Sequence, residues 1–216
     1  MTYQNASEMP ITFAIIKERK TPPDRRVVLS PEGCQEVIEH FPVARSIVEA
    51  SDVRVFPNEA YREAGFVVMD DVSEADVFLG VKEVPIDALI PSKKYFFFSH
   101  TKKQQPNNQK LRTAILDKKI ELYDHETIVN PEGNRLIGFG YYAGLVGAYN
   151  GFRALGLRDG LFELPKVETL ADLNAVKYEL NKIKLPDSLK IILSGVGKVA
   201  KGAKEILDHL QIKEVS

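Results

Sequence analysis

Between Ala75 and His100 the chain carries two short, almost unbroken apolar runs, Val77–Val81 and Tyr95–Phe98, each bounded by turn signals. Runs that stay apolar at successive positions suit strands buried on both faces, as in a parallel α/β sheet. Each run stops on ionisable residues: Lys82 and Glu83 after the first, Ser99 and His100 after the second. In open α/β sheets ligands sit in the crevice outside the carboxyl ends of the strands. A lysine and a histidine leaving two such ends are therefore the primary candidates for a site. Ile11–Ile16 and Ile120–Tyr123 repeat the pattern, ending on Lys17-Glu18-Arg19-Lys20 and on Asp124, His125 and Glu126. Apolar runs alternating with helical stretches predict an α/β fold with a parallel, flavodoxin- or Rossmann-like sheet.

The segments between the runs read mostly as helices and turns. Ser30 is placed to cap a helix with Pro31 at its first position, and Cys34, Val37, Ile38 and Phe41 then form one apolar stripe. Cys34 on that stripe is read as core, not as a nucleophile. Arg25 and Arg26 precede this helix, beside the first strand's end, and read from spacing either as two solvated charges or as a fork for a substrate carboxylate. Val53–Phe56 and Phe66–Met69 read as further short strands, separated by a helical turn over Tyr61–Gly65. A polar loop over 101–108 leads to a helix presenting Leu111, Ala114 and Ile115. Asn130–Asn134 is a tight turn. Small residues at Ala143, Gly144, Gly147, Ala148 and Gly151 recur at helical spacing. Glycine costs a helix about 1 kcal/mol against alanine, so their use predicts close approach to something, either another helix or a ligand, with helix packing the preferred reading. Gly156–Pro165 reads as a connection, and Thr169 as the cap of a helix carrying Leu173, Val176 and Leu180.

Leu189–Ser194 reads as a strand, followed at once by Gly195-Val196-Gly197-Lys198-Val199-Ala200 and an amphipathic helix. This is a Gly-x-Gly-x-x-Ala loop in the strand-then-helix setting that dinucleotide binding requires. Gly195 permits the tight turn, Gly197 lets the backbone approach a pyrophosphate, and Ala200 permits close helix–strand packing. A Rossmann unit needs a second strand ending in an acid about 20 residues beyond the glycines. Residues 212–216 barely begin one, and Glu214 stands at its start, so it is not assigned to the ribose. The chain therefore reads as the front portion of a longer polypeptide. Residues 1–138 form the sheet domain, 139–185 connecting helices, and 186–216 the first strand–loop–helix of a truncated NAD-binding Rossmann domain.

Composition excludes several classes. The 216 residues carry 29 Lys and Arg against 30 Asp and Glu, a net charge of −1, and no basic run points to nucleic acid or an anionic membrane. No apolar run approaches the ~20 residues of a membrane span, and Met1–Pro10 is too polar for a signal peptide. The lone cysteine suits a reducing cytoplasm, and four scattered histidines supply no metal-site spacing. No metal is expected.

Taken in order, the motifs resemble a known family. They are Lys-Glu-x-Lys from Lys17, Arg-x-x-Leu-Ser-Pro from Arg26, Leu-Gly-Val-Lys-Glu from Leu79 and Phe-Phe-Ser-His from Phe97. Tyr-Asp-x-Glu from Tyr123, Phe-Gly-Tyr-Tyr-Ala-Gly from Phe139 and the glycine loop at Gly195 complete the series. Together they are similar to the alanine dehydrogenase and pyridine nucleotide transhydrogenase N-terminal superfamily, and within it most to lysine-forming saccharopine dehydrogenases. The similarity runs from about Ile11 to Gly202. Gly133–Arg135 and Phe139–Gly144 are its most telling parts, since alanine dehydrogenases usually differ there.

The resemblance implies a two-domain enzyme, with a substrate domain and a dinucleotide domain, that oxidatively deaminates a secondary amine with NAD. NADP stays open. The substrates would be an amino acid and a 2-oxo acid, and assembly into a homo-oligomer also stays open. By motif, Lys82 and His100 match the acid–base pair and Arg26 the substrate-carboxylate arginine. Lys20 and Glu126 match charged residues lining the same site, Glu83 is placed to tune Lys82, and Gly195, Gly197 and Ala200 match the pyrophosphate loop. Two other readings stand beside this one: an alanine-dehydrogenase-like enzyme using ammonia and a small 2-oxo acid, and a non-catalytic binding protein that keeps only the substrate domain.

Overall fold

The computed structural model describes residues 10–22, 24–101 and 106–212, and the chain divides into one unit up to Ile137 and another from Gly138. In the first unit the chain runs through β1 (Thr12–Ile15), α1 (Pro31–His40), β2 (Arg45–Glu49), α2 (Asn58–Glu63) and β3 (Val67–Met69). It continues through β4 (Val77–Lys82), β5 (Lys94–Phe98), α3 (Gln109–Asp117) and β6 (Glu121–Asp124). The strands form one sheet in the order β3-β2-β1-β4-β5-β6, every neighbouring pair parallel. The chain thus winds outward from β1 to β3, returns to the other side of β1, and winds outward again. That reversal makes β1 and β4 the topological switch point, where α/β sheets open a crevice.

Both faces are covered, which is why the strands are apolar at successive positions. On one face Ala14, Ile16, Phe78, Tyr95 and Phe97 pack with Leu111 and Ile115 of α3, and the rings of Phe78 and Tyr95 stack at 4.8 Å. On the other, Ile15 and Val48 pack with Cys34 of α1 and Tyr61 of α2. Ser30 caps α1 as expected, its Oγ accepting from Gly33 N at 3.1 Å. Cys34 is fully buried, and burial pushes its thiol up to about 11. The α1 stripe stops at Ile38: Phe41 lies past the helix end and is exposed.

Several elements depart from the sequence expectations. β2 occupies Arg45–Glu49, whereas Val53–Phe56 forms bends with no strand pairing. In that segment Arg54 is buried while Val53 and Val55 are exposed, the reverse of what apolar patterning suggests. The second unit contains α4 (Gly140–Asp159), α5 (Leu173–Leu180) and α6 (Lys198–His209). α4 runs through Gly156 and ends at Gly160, whose φ of +63° closes it. Asp172, not Thr169, caps α5, accepting from Ala175 N at 2.8 Å. Leu189–Ser194 has no strand pairing among the described residues, and Ile192 is 95% exposed. A strand's hydrogen bonds must come from a neighbour, and none of the described residues supplies one. Residues 102–105 of the polar loop and Glu214 lie outside the described residues.

The small residues of α4 do what their spacing suggests. A Cβ on Gly144 would come within 2.8 Å of Ala203 N and closer still to Val199 O, and one on Gly202 within 3.0 Å of Leu145 N. α4 and α6 therefore meet backbone to backbone. Leu145, Tyr149, Phe152, Val176, Leu180 and Ile206 close the core of this unit. No helix among the described residues is long and apolar enough to cross a membrane.

Candidate functional site

The carboxyl ends of β1, β4, β5 and β6 lie along one edge of the sheet, and six of the nine sequence-designated residues gather in or just after those ends. Lys82 closes β4, opposite Phe98 of β5, so it and His100 leave adjacent strands two positions apart. Between Leu79 and Lys82 the register slips: β4 spends three steps where β5 spends two, which is a β-bulge. Glu18, just beyond β1, accepts from Val81 N at 2.7 Å and from Lys82 N at 2.9 Å. Burial raises this carboxyl above its ordinary range, against the lowering effect of the two amides. The Lys82 ammonium has no ion-pair partner within 4 Å among the described residues, and its charge helps lower the Asp24 carboxyl.

Arg26 lies on the loop before α1. Asp24 takes its Nε at 2.9 Å and its Nη2 at 2.5 Å in a bidentate pair, and this hydrogen bonding holds the Asp24 carboxyl below its ordinary value. Any carboxylate reaching the same edge of the guanidinium has to displace an internal one. Lys20 and Glu83 are brought together at 3.8 Å, which places both beside the β1–β4 junction.

His100 has a φ of +56°, a left-handed conformation that costs a side-chain-bearing residue energy and often marks functional positions. Asn108 Nδ2 donates to its carbonyl at 2.9 Å, and its ring lies nearly parallel to that of Phe98. Glu126 Oε1 stands 3.8 Å from His100 Nδ1 and 3.6 Å from Arg135 Nη1, so it can balance an imidazolium. Below them, buried Asp124 accepts from Ser99 Oγ and, at 2.8 Å, from Glu126 N. One carboxylate thus ties the segment carrying His100 to the segment carrying Glu126.

Glu18, Asp24, Asp124 and Arg135 were not singled out from the sequence. Glu18 sits in a charged run that reads as solvated, and Asp24 in a proline turn. Asp24 had a signal, since an acid two residues before an arginine can turn back onto it. Glu18 had none, because its partners are the backbone amides of Val81 and Lys82, 63 and 64 residues away.

The remaining three designated residues belong to the second unit. Gly195 has a φ of +93°, open to glycine and strained for other residues. Gly197 is the N-cap of α6 and leaves the first amides without a side-chain cap. A Cβ at either glycine would meet nothing within 4 Å, so the helix start is open to an incoming group. Ala200 is buried. An uncapped helix N-terminus behind a glycine turn fits a phosphate.

Comparison with known proteins agrees with this architecture. A sequence profile of the family described as alanine dehydrogenase/PNT, N-terminal domain, matches residues 14–146. The mitochondrial alpha-aminoadipic semialdehyde synthase of Bos taurus is 34% identical over 223 residues, covering 89% of this chain and 23% of that protein. The NAD(+), L-lysine-forming saccharopine dehydrogenase of Candida glabrata is 28% identical over 229 residues, covering 95% of this chain and 59% of that one. The chain thus spans less than two thirds of either relative. Among solved structures, an L-alanine dehydrogenase superposes with a TM-score of 0.56 at 16% identity, covering 93% of this chain and 53% of that one. A transhydrogenase from Sinorhizobium meliloti gives 0.54 at 19% identity, covering 65% and 43%. These two likenesses bear on fold alone.

Proposed function

Because the chain belongs to the alanine dehydrogenase/PNT N-terminal domain family, we propose that it is the front portion of an NAD-dependent amino-acid dehydrogenase of the saccharopine type. The observation that carries this reading is the pairing of Lys82 with Phe98 across β4 and β5. It sets Lys82, at the switch point, and His100 on adjacent strand ends, with the cations Lys20 and Arg26 on the segment that follows β1. Such an enzyme cleaves a CH–NH bond of a secondary amine, releasing an amino acid and a 2-oxo acid. A bound nicotinamide would supply the hydride acceptor, held by its pyrophosphate at Gly195, Gly197 and Ala200.

The chain's own residues move protons and hold charge. Oxidation requires the substrate amine to be deprotonated. Hydrolysis of the resulting imine requires one proton to leave the attacking water and another to reach the departing amine. Lys82 and His100 supply these transfers, a histidine being suited to both directions near neutral pH. Glu126 stabilises the imidazolium form of His100, and Glu83 balances Lys20 next to Lys82. Arg26 holds a substrate carboxylate by exchanging it for Asp24. The lone buried thiol of Cys34 agrees with a reducing, cytoplasmic setting.

Replacing Lys82→Met together with His100→Gln in the gene's full product tests the assignment. Turnover with amine and oxo-acid pairs should fall about 10²–10⁴-fold, while calorimetric NADH binding stays nearly unchanged. Unchanged turnover would sink the site. A requirement for a second amino acid such as lysine, in place of ammonia, separates the saccharopine type from an alanine-dehydrogenase-like enzyme.

A further inference from the structure

At the β4 bulge, side chains from opposite ends of the crevice bond three backbone groups. Glu18, beyond β1, accepts from Val81 N and Lys82 N. His125, beyond β6, reaches across β5 to Gly80 O, with Nε2 at 3.0 Å. Because a carbonyl can only accept, Nε2 is the donor in this bond. His125 is buried, only 4% exposed, and its Nδ1 has no partner among the described residues. The ring packs edge-on to Phe98 at 5.0 Å. Gly80 is closely packed: a Cβ there would press on the Ile16 side chain at 3.1 Å and touch Glu18 Oε1 at 3.5 Å.

We propose that Glu18 and His125 are positioning residues that clamp the β4 bulge from its two sides and so set the direction in which Lys82 leaves the strand. The proposal rests on Lys82 being the proton-transfer group described above. A bulge re-aims the side chain that follows it, and here the extra residue falls between Leu79 and Lys82. Without the clamp, three amide or carbonyl groups at the sheet edge would need water, and β4 could relax toward the regular register. A carboxylate on two amides is a strong restraint, since charge-assisted hydrogen bonds are about twice as strong as neutral ones. It is also a costly one to keep buried, which accounts for the raised carboxyl of Glu18. Neither residue is placed to touch substrate; both act through the backbone of Gly80–Lys82.

The test uses two readouts that do not need turnover: amide hydrogen exchange by NMR, and competitive acetylation of lysines by acetic anhydride read by mass spectrometry. The exposed Lys94 and Lys184 serve as internal references. In Glu18→Gln, exchange at Val81 and Lys82 should rise about tenfold or more, as expected for losing a charged acceptor, while Ala14 and Phe97 keep their protection. Acetylation of Lys82 should shift against both references. Unchanged exchange at Val81 and Lys82 overturns the clamp, and faster exchange with unchanged Lys82 acetylation overturns its role in aiming the side chain. Should Glu18→Gln lose protection everywhere, His125→Leu and His125→Gln decide: Leu must shift Lys82 acetylation, and Gln, which can still donate to Gly80 O, must restore it. Equal values in those two variants overturn the proposal. A parent protein that shows these shifts but no dehydrogenase turnover would leave the clamp standing and remove the functional reading alone.

Discussion

Two apolar runs of similar character meet opposite ends in this molecule. Tyr95–Phe98 lies in β5 with a parallel neighbour on each side, and Phe97 is fully buried. Leu189–Ser194 has no ladder among the described residues, and Ile192 stands almost wholly in solvent. The helix that follows each of them nevertheless forms as its pattern suggests, α3 in one case and α6 in the other. A helix satisfies its own backbone, whereas a strand is completed only by another segment. Apolar patterning therefore specifies a helix locally but only nominates a strand.

The difference can be measured directly. Phe97→Ala should destabilise the first unit by about 3–5 kcal/mol, whereas Ile192→Ala should change stability by less than about 0.5 kcal/mol. Urea unfolding of both variants gives the comparison, and a large cost at Ile192 would mean that the segment is covered in solution. Next in size is the helix contact of the second unit. Gly144→Val drives a side chain into Val199 and Ala203, and overpacking of this kind typically costs about 1–3 kcal/mol. Calorimetry should show the loss in the second unit's transition; an unchanged trace would show that α4 and α6 separate easily.

A small, pH-dependent effect is expected at Asp24. Arg26 holds its folded carboxyl below the ordinary value near 3.8. The pair's contribution is therefore present above that value and disappears as pH falls through the lower folded one. The Arg26 side chain is 42% exposed, and such pairs contribute about 0–1 kcal/mol. Asp24→Asn should cost no more than that at pH 7 and nothing at a pH where Asp24 is already protonated. Unfolding at the two pH values checks the sign. A cost that persists in acid would assign Asp24 a role other than pairing with Arg26.

Much of the sheet was legible because four strands announce themselves as apolar runs with polar stops. β2 was not: Arg45, Ser46 and Glu49 interrupt it, leaving only Ile47 and Val48 as signal. Glu49 is buried because Arg19 reaches it at 2.5 Å and Lys17 N at 3.0 Å, partners that exist only after folding. Val53–Phe56 misled for the converse reason, since Val53 and Val55 face outward and its arginine lies inward over Tyr61 at 4.6 Å. At the candidate site, Lys82, His100 and Glu126 were readable as the residues following strands. Asp124 and Glu18 were not, because each grips backbone or a side chain far along the chain, and sequence spacing carries no trace of that grip; Asp24 left only the local trace of standing two residues before Arg26.

The seam between β1 and β4 also sets a schedule. Thr12 N bonds Asp76 across 64 residues, and Glu18 waits the same distance along the chain for Lys82 N. Local helices can form as the polypeptide leaves the ribosome, but contacts of such separation have to wait for the later segment. At synthesis rates of about 5–20 residues per second, Glu18 emerges roughly 3–13 seconds before its partner. During that interval β1 is an apolar strand with one open edge, so the crevice that holds the candidate chemistry is also where a nascent chain is most exposed to mispairing.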